Sequence, residues 1–87
     1  MAKGILVSLY DGKADTWSPP ACADSKAAAI RQMEMLVNDT QPTLVATHPE
    51  DFTLFHVGDF IDDVVQSRDK VALANGVDVL RKPQEVK

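Results

Sequence analysis

The sequence predicts an α+β fold, in which a small antiparallel β-sheet in the order β-β-α-β-β carries one helix packed across one face. Segments on both sides of the chain's centre are rich in β-branched and aromatic residues and are bounded by turn residues, which is typical of strands. One segment between them has apolar residues at three- and four-residue steps, which indicates an amphipathic helix. Strands on either side of a single helix favour an antiparallel sheet that the helix covers on one face.

Length and composition indicate one globular domain. The chain has 87 residues, of which 45% are hydrophobic and 25% charged. We expect the domain to span residues 1–80 and residues 81–87 to form a frayed C-terminal tail. A chain this short buries only about 60–65% of the surface that its unfolded form exposes, less than a larger domain does, so association with further copies of itself is expected to add stability.

The first predicted element is a β-hairpin. Ile5–Tyr10 has strand composition, and Asp11-Gly12 is a strong signal for a two-residue turn because glycine accepts a positive φ. A return strand over Lys13–Trp17 then stops at the pair Pro19-Pro20.

A helix follows, from a cap at Asp24 or Ser25 to about Val37. The stretch Asn38–Pro42 ends it with a residue tolerant of left-handed geometry and then a helix breaker. The apolar face is predicted to consist of Ala27, Ile30, Met33 and Val37.

The residue pattern in the second half of the chain predicts further strands. Leu44–Ala46 is expected to be a brief extended piece, followed by a turn with Pro49 at its corner. Phe52–Ile61 alternates with apolar residues on both faces, which predicts a central strand or one whose second face meets a partner. Val71–Ala74 is expected to form a last strand that ends at Asn75-Gly76. Val77–Leu80 is expected to be either a further strand or a segment that packs against the domain.

No constellation of residues indicates catalysis or a cofactor. Cys22 is the only cysteine, so neither an internal disulfide nor a cysteine-based zinc site can form within one chain. His48 and His56 accompany no nucleophile motif. The acids Asp59, Asp62 and Asp63 lack the spacing of a calcium loop and are interpreted as solvated residues after a strand. We therefore expect a protein that is not an enzyme and holds no metal.

Charge and aromatic residues lead to opposite expectations about nucleic acid. The net charge of −4 opposes binding through bulk electrostatics, because affinity for phosphates depends on clustered Lys and Arg. Aromatic side chains on an open sheet face can nevertheless stack on single-stranded bases. Phe52 and Phe60 are assigned to the core, whereas Tyr10 and Phe55 suit either role. The candidate nucleic-acid-binding residues are Tyr10, Trp17 and Phe55 for stacking and Lys13, Arg31, Arg68 and Lys70 for phosphate contacts.

The N-terminal segment predicts neither secretion nor membrane insertion. Its apolar run, Ile5–Leu9, is too short for a signal peptide or a membrane span. A cytoplasmic protein without a membrane partner is therefore expected.

Several phrases resemble a known family. They are Tyr10–Ala14, Ala28–Arg31, Val37–Asp39 and above all His48–Phe60, which reads HPEDFTLFHVGDF. Together they resemble the small nonstructural protein of gokushovirus-type microviruses, which are single-stranded DNA phages, in the phage open-reading-frame-five family. The resemblance covers about residues 5–63. The chain departs from the family pattern at Met33, where an aromatic is usual, and after Asp59, where no glycine turn follows.

The resemblance implies a phage-encoded, non-virion protein of the bacterial host cytoplasm that binds DNA or acts in genome replication, and it brings no catalytic residues with it. Two hypotheses remain open. In the first, the protein binds single-stranded DNA or a viral or host replication complex. In the second, it is a homo-oligomeric protein–protein module that modulates a viral or host protein without touching DNA.

Overall fold

The computed structural model describes residues 3–81 and confirms the α+β class, with five strands in one antiparallel sheet. The strands are β1 (Lys3–Asp11), β2 (Thr16–Trp17), β3 (Ala21–Ala23), β4 (Phe52–Ile61) and β5 (Val64–Asn75). The helices are α1 (Lys26–Val37), α2 (Leu44–Thr47) and α3 (Gly76–Val79), and a 3₁₀ turn spans Pro49–Asp51.

β1 and β4 form the centre of the sheet. The strand order is β2-β1-β4-β5, and β3 pairs with the same edge of β1 as β2 does. Pro19 and Pro20 separate β2 from β3 because proline has no N–H to donate to the ladder. Ser18 holds this connection, since its hydroxyl accepts from Leu9 N at 2.9 Å. The central strand predicted over Phe52–Ile61 is therefore confirmed, and β5 is an edge strand.

Helix α1 begins and ends where the sequence predicts. The Ser25 hydroxyl accepts from Ala28 N at 3.1 Å, which satisfies one free N–H group of the first turn. The buried stripe is Ala29, Met33 and Val37 at four-residue steps. Ala27 is exposed, contrary to the predicted face, because it lies on the other side of the helix from this stripe.

The core lies between α1 and one face of the sheet. Met33 and Val37 are the largest fully buried side chains, and they belong to one cluster with Val7 and Leu54 from the sheet. All three helices contribute to this cluster, through Ala29 in α1, Val45 in α2 and Val79 in α3.

The first hairpin has a longer turn than predicted. Asp11 Oδ1 accepts from Lys13 N at 3.0 Å and Ala14 N at 3.2 Å, while Gly12 N donates to the Asp51 carbonyl at 2.8 Å. The residue with positive φ is Asp15, at 57°, rather than Gly12. An Asx turn thus replaces the two-residue turn, and β2 begins at Thr16 instead of Lys13.

The last hairpin turns without glycine. Asp62 and Asp63 have φ values of 48° and 72°, and Ile61 pairs with Val64 across them. Aspartate tolerates the left-handed region better than most residues, which allows this two-residue turn. β5 consequently begins at Val64 rather than Val71, and the two acids belong to the turn.

Three short elements differ from the predictions. The segment expected to be extended is helix α2, capped by Thr43, whose hydroxyl accepts from Ala46 N at 3.1 Å. β3 was not predicted. The segment after Asn75, left open as strand or docked piece, is helix α3, and Asn75 and Asp78 form its capping box.

The structure describes the first residue of the predicted frayed tail. Arg81 N donates to Asn38 Oδ1 at 3.0 Å, and Arg81 Nε lies 3.5 Å from Glu34 Oε2. The rest of that tail, 82–87, lies outside the described residues. Within residues 3–81, no helix has the length and apolar character needed to span a bilayer.

Candidate nucleic-acid interface on the open face of the sheet

Three aromatic side chains meet on the face of the sheet opposite the helices. Tyr10 and Trp17 are directly paired between β1 and β2, and Phe55 reaches the same face from β4. The Trp17 ring centroid lies 4.6 Å from that of Tyr10 and 5.0 Å from that of Phe55, and the Tyr10 and Phe55 rings meet edge to face at 6.3 Å. These three residues form the aromatic cluster.

A lysine from β5 joins the aromatic cluster. Lys70 Nζ lies 5.4 Å from the centroid of the Trp17 ring, which is within the range of a cation–π interaction. Four of the seven residues singled out from the sequence therefore lie together, on four different strands, β1, β2, β4 and β5. A cation beside stacked aromatic rings is the combination that contacts both a base and its phosphate.

Exposure within the aromatic cluster is uneven. Trp17 is 42% exposed, whereas Tyr10 and Phe55 are half-buried. Because the rings are tilted and edge to face, Tyr10 and Phe55 support the Trp17 ring rather than lying flat beside it. The arrangement offers one principal stacking surface, on Trp17, with two smaller ones next to it.

A hydrogen bond to a carboxylate fixes the tyrosine of the cluster. Tyr10 Oη donates to Asp15 Oδ1 at 2.7 Å. This bond is the main reason that the pKa of Tyr10 is raised, and burial and the charges of Asp15 and Asp11 act in the same direction. The phenol stays protonated, and its ring is held against Trp17. The same carboxylates reduce the attraction of this face for phosphate.

The other three candidates lie apart from the aromatic cluster. Lys13 is in the turn between β1 and β2, and Arg31 is exposed on α1, which packs on the opposite face of the sheet. Arg68 Nη1 lies 3.4 Å from Asp59 Oδ2, so its charge is already paired. Lys13 follows β1, which carries Tyr10, and Arg68 lies on β5, the strand that carries Lys70.

Sequence reasoning missed a buried polar network in the centre of the sheet. His56 is 2% exposed, and its Nε2 lies 3.0 Å from Asp59 Oδ1. A β-bulge at Val57 makes this possible: Ile5 pairs with Asp59 and Val7 with His56, so the histidine and the acid share a face. The interpretation of His56 as a hydrogen-bonded core-edge histidine agrees with this contact, whereas Asp59 is not simply solvated.

The residues that could hold a cation are elsewhere. Ligand atoms of His48, Glu50 and Asp51 all lie within 4.8 Å of one another beside the 3₁₀ turn. These three donors are one fewer than a closed tetrahedral site requires, and His48 and Glu50 are exposed. Of the three acids that the sequence analysis interpreted as solvated, Asp59 contacts His56, and Asp62 and Asp63 form the last turn.

The comparison with protein families decides the kind of protein. The model of the family described as phage ORF5 protein matches residues 4–79, from β1 to the end of α3. The chain belongs to the phage ORF5 protein family. The match confirms the phage open-reading-frame-five family named in the sequence analysis. It extends beyond Asp63 to the end of α3 and includes every residue of the aromatic cluster. No curated protein and no solved structure matches the chain.

Proposed function

We propose that this phage ORF5 protein binds single-stranded DNA through the aromatic cluster on the open face of its sheet. The observation that supports the proposal is the convergence of Tyr10, Trp17 and Phe55 with Lys70 on a face that no described helix covers. Base stacking tolerates any sequence, because every base presents a π-face. The protein acts by binding, without catalysis.

The charge of the protein predicts how this binding depends on salt. With a net charge of −4, long-range attraction to DNA is weak. Among the described residues, Lys70 contacts the cluster and Lys13 lies in the turn between β1 and β2, so we count one or two phosphate contacts. Since each phosphate contact on a single strand contributes about −0.7 to the slope of log K against log salt, we expect a total of about −0.7 to −1.4. Stacking, rather than ion release, supplies most of the affinity.

The first test uses the only tryptophan of the chain as its own reporter. The full-length protein is titrated at low salt with an unlabelled oligothymidylate while Trp17 emission is followed, and a labelled oligonucleotide is followed in parallel by anisotropy. Saturable quenching with the shallow salt slope supports the proposal. An unchanged emission and anisotropy at the lowest salt would overturn it.

Substitutions separate the cluster from the rest of the surface. Because one stacked base contributes about 1–3 kcal/mol, Trp17→Ala should weaken binding by about 5- to 150-fold in the anisotropy assay. Lys70→Gln should weaken binding less and reduce the salt slope. The matched control is Arg31→Gln, which also removes one cation but from α1, and which should leave both quantities unchanged. Equal effects of Lys70→Gln and Arg31→Gln would contradict a site on the open face.

The proposed setting is replication of a gokushovirus-type microvirus genome in the cytoplasm of the bacterial host. It is supported by membership of the phage ORF5 family and by the resemblance of His48–Phe60 to the gokushovirus protein. Mass spectrometry of purified virions and of fractionated infected cells tests it. The protein should be in the cell fraction with replicating DNA and absent from virions.

A second function is a homo-oligomeric protein–protein module that modulates a viral or host protein without contacting DNA. The observation that favours it is the exposed edge strand β5, whose residues 64–72 are all exposed. The two functions differ in one measurement: Trp17→Ala should not impair the interaction of such a module with its protein partner, whereas it should impair DNA binding.

A further inference from the structure

The outer edge of β5 is a long surface with free backbone groups. β5 spans Val64–Asn75, and in the described part of the chain only its other edge is paired, with β4. Every residue of 64–72 is exposed. A long exposed edge presents alternate N–H and C=O groups to any extended strand, so proteins either protect such an edge or use it for pairing.

Apolar side chains accompany this edge at the end of the last hairpin. Ile61, Val64 and Val65 are 46%, 55% and 61% exposed, and they lie next to the turn at Asp62-Asp63. They are the β-branched residues that strand pairing normally covers. Their exposure indicates a surface that is buried in a larger assembly.

Charges in the middle of β5 decide which strand can pair with it. Arg68, Asp69 and Lys70 follow one another, and such charges hinder pairing with an arbitrary strand. They are complementary to the same strand of a second copy running in the opposite direction. With a two-fold axis between Arg68 and Asp69, the arginine of each copy, which lies 3.4 Å from Asp59 of its own chain, also lies beside Asp69 of the other copy. A shift by one residue places Asp69 opposite Asp69 or Arg68 opposite Arg68, which is repulsive.

We propose that β5 pairs antiparallel with β5 of a second copy of this chain, with the two-fold axis between Arg68 and Asp69. Val65 then lies opposite Ala72 of the other copy, and Val64 opposite Leu73, so the apolar hairpin end of each copy covers the inner end of the other strand.

The irregular middle of β5 suits this arrangement. Gly58 pairs with Ser67 and His56 with Val71, so Val57 in β4 faces the three residues Arg68–Lys70. The regular parts of β5 on either side of this bulge are Val64–Ser67 and Val71–Ala72, and a second register shift follows between Ala72 and Ala74. In the dimer, backbone pairing uses those two regular parts, and the charged residues of the bulge meet at the axis.

The dimer orients the two open faces in the same direction. An antiparallel pair of identical strands has its two-fold axis perpendicular to the sheet, so both α1 helices lie on one side and both aromatic clusters on the other. The two sheets become one. This pairing does not depend on DNA binding, and the molar mass of the protein in solution tests it directly.

The test is sedimentation equilibrium of the full-length protein over a range of concentrations. The wild type should approach twice the monomer mass. Arg68→Asp places acids opposite acids, and Asp69→Arg places arginines opposite arginines, so each variant alone should be monomeric. An equimolar mixture of the two variants restores opposite charges at both positions and should regain the dimer mass, as should the double exchange Arg68→Asp/Asp69→Arg in one chain.

Two controls keep the result interpretable. Arg31→Asp makes the same charge change as Arg68→Asp on exposed α1 and should remain dimeric. Because Arg68 also contacts Asp59, circular dichroism establishes that each variant is folded, and recovery of the dimer in the mixture excludes misfolding as the cause.

Disulfide trapping fixes the register. In a Cys22→Ser background, Val65→Cys/Ala72→Cys should give a covalent dimer on oxidation, because residues directly opposite in an antiparallel pair are close enough for a disulfide. Within one chain the two positions are about 23 Å apart along the strand, so they cannot bond to each other. Gln66→Cys/Ala72→Cys, shifted by one residue, should not cross-link.

Two results would overturn the proposal. One is a wild type that stays monomeric at every concentration, and the other is a dimer whose mass none of these charge changes alters.

Discussion

The two faces of β4 carry similar residues but differ in burial. On one face Phe52 and Leu54 are buried beneath the helices, with 8% and 6% exposure, and on the other face Phe55 supports the half-exposed Trp17. The sequence of this strand is apolar on both sides, yet only one side belongs to the core. Apolar composition in a strand therefore indicates that a face will be covered, but not whether the protein itself or a ligand covers it.

The difference follows from where the three helices pack. Each of α1, α2 and α3 adds a side chain to the cluster around Leu54, so stability is concentrated on that face. The opposite face has the mutual contacts of three aromatic rings and one lysine, and the buried Ser8, whose hydroxyl donates to the Ser18 carbonyl. Substitutions on the first face should change unfolding, whereas substitutions on the second should mainly change binding.

The strongest test compares two phenylalanines of β4. Phe52→Ala should lower the free energy of unfolding by about 4 kcal/mol, because it removes a buried ring and leaves a cavity. Phe55→Ala should cost about 1–2 kcal/mol, since the ring is half-buried and loses its aromatic partners. Urea unfolding followed by circular dichroism measures both. If the protein binds DNA as proposed, only Phe55→Ala should weaken that binding under conditions in which both variants are fully folded. Equal losses of stability would contradict the division between the faces.

The next effect concerns two methionines of α1. Met33 is 1% exposed and Met35 65% exposed. Met33→Ala should destabilise the protein by about 3 kcal/mol, within the usual range for a buried methionine. Met35→Ala, the matched control, should change the free energy of unfolding by less than about 0.5 kcal/mol. A large cost for Met35→Ala would indicate that the outer side of α1 is also covered, and the same unfolding assay measures it.

A smaller effect concerns the start of the covering helix. Ser25→Ala removes the acceptor for Ala28 N and should cost about 1 kcal/mol. Ser25→Asp supplies a carboxylate acceptor at the same position and should retain most of the stability. Thermal unfolding of the three proteins measures the difference. If Ser25→Ala had no effect, capping would not contribute to the attachment of α1.

The smallest effect is electronic and concerns the open face. Asp15→Asn removes the charged acceptor of Tyr10, so the pKa of Tyr10 should fall back toward its ordinary value of 10.0. Because the folded pKa is raised, the stability that this bond contributes is present below about pH 10 and is lost as the pH rises through the folded pKa. Tyrosinate absorbance measures the shift cleanly, since the chain has one tyrosine. An unchanged titration curve would contradict the hydrogen bond.

The parts of the fold that the sequence predicted are those with a long, regular signal. The alternation of Phe52–Ile61 and the Ser25 cap each identified an element correctly. The parts that the sequence did not predict are too short to show a pattern or have an unusual composition. β3 has only three residues, and the turn at Asp62-Asp63 has aspartate at positions where two-residue turns usually have glycine. Tertiary pairing determines such elements, and local preference does not.

The candidate site was predictable to a similar extent. Alternation within the strands places Tyr10 and Phe55 on one face once β1 and β4 pair, and the first hairpin brings Trp17 beside them. Lys70 reaches this face because the register of β5 against β4 shifts between Ala74 and Ala72. The contact of His56 with Asp59 likewise needs the bulge at Val57. Bulges leave no periodic trace in a sequence, so these contacts had to come from the structure.

The pairing of β1 with β4 sets an order of events during synthesis. β1 is made early, but the strand that completes it, from Phe52 to Ile61, leaves the ribosome only after α1 and α2 have been made. At ordinary translation rates this interval is about 3–10 s. Through that time β2 and β3 can occupy one edge of β1, and the other edge stays open beside its apolar side chains. The nascent chain thus passes through a stage at which β1 has been made but lacks β4, the strand that pairs with it along its whole length.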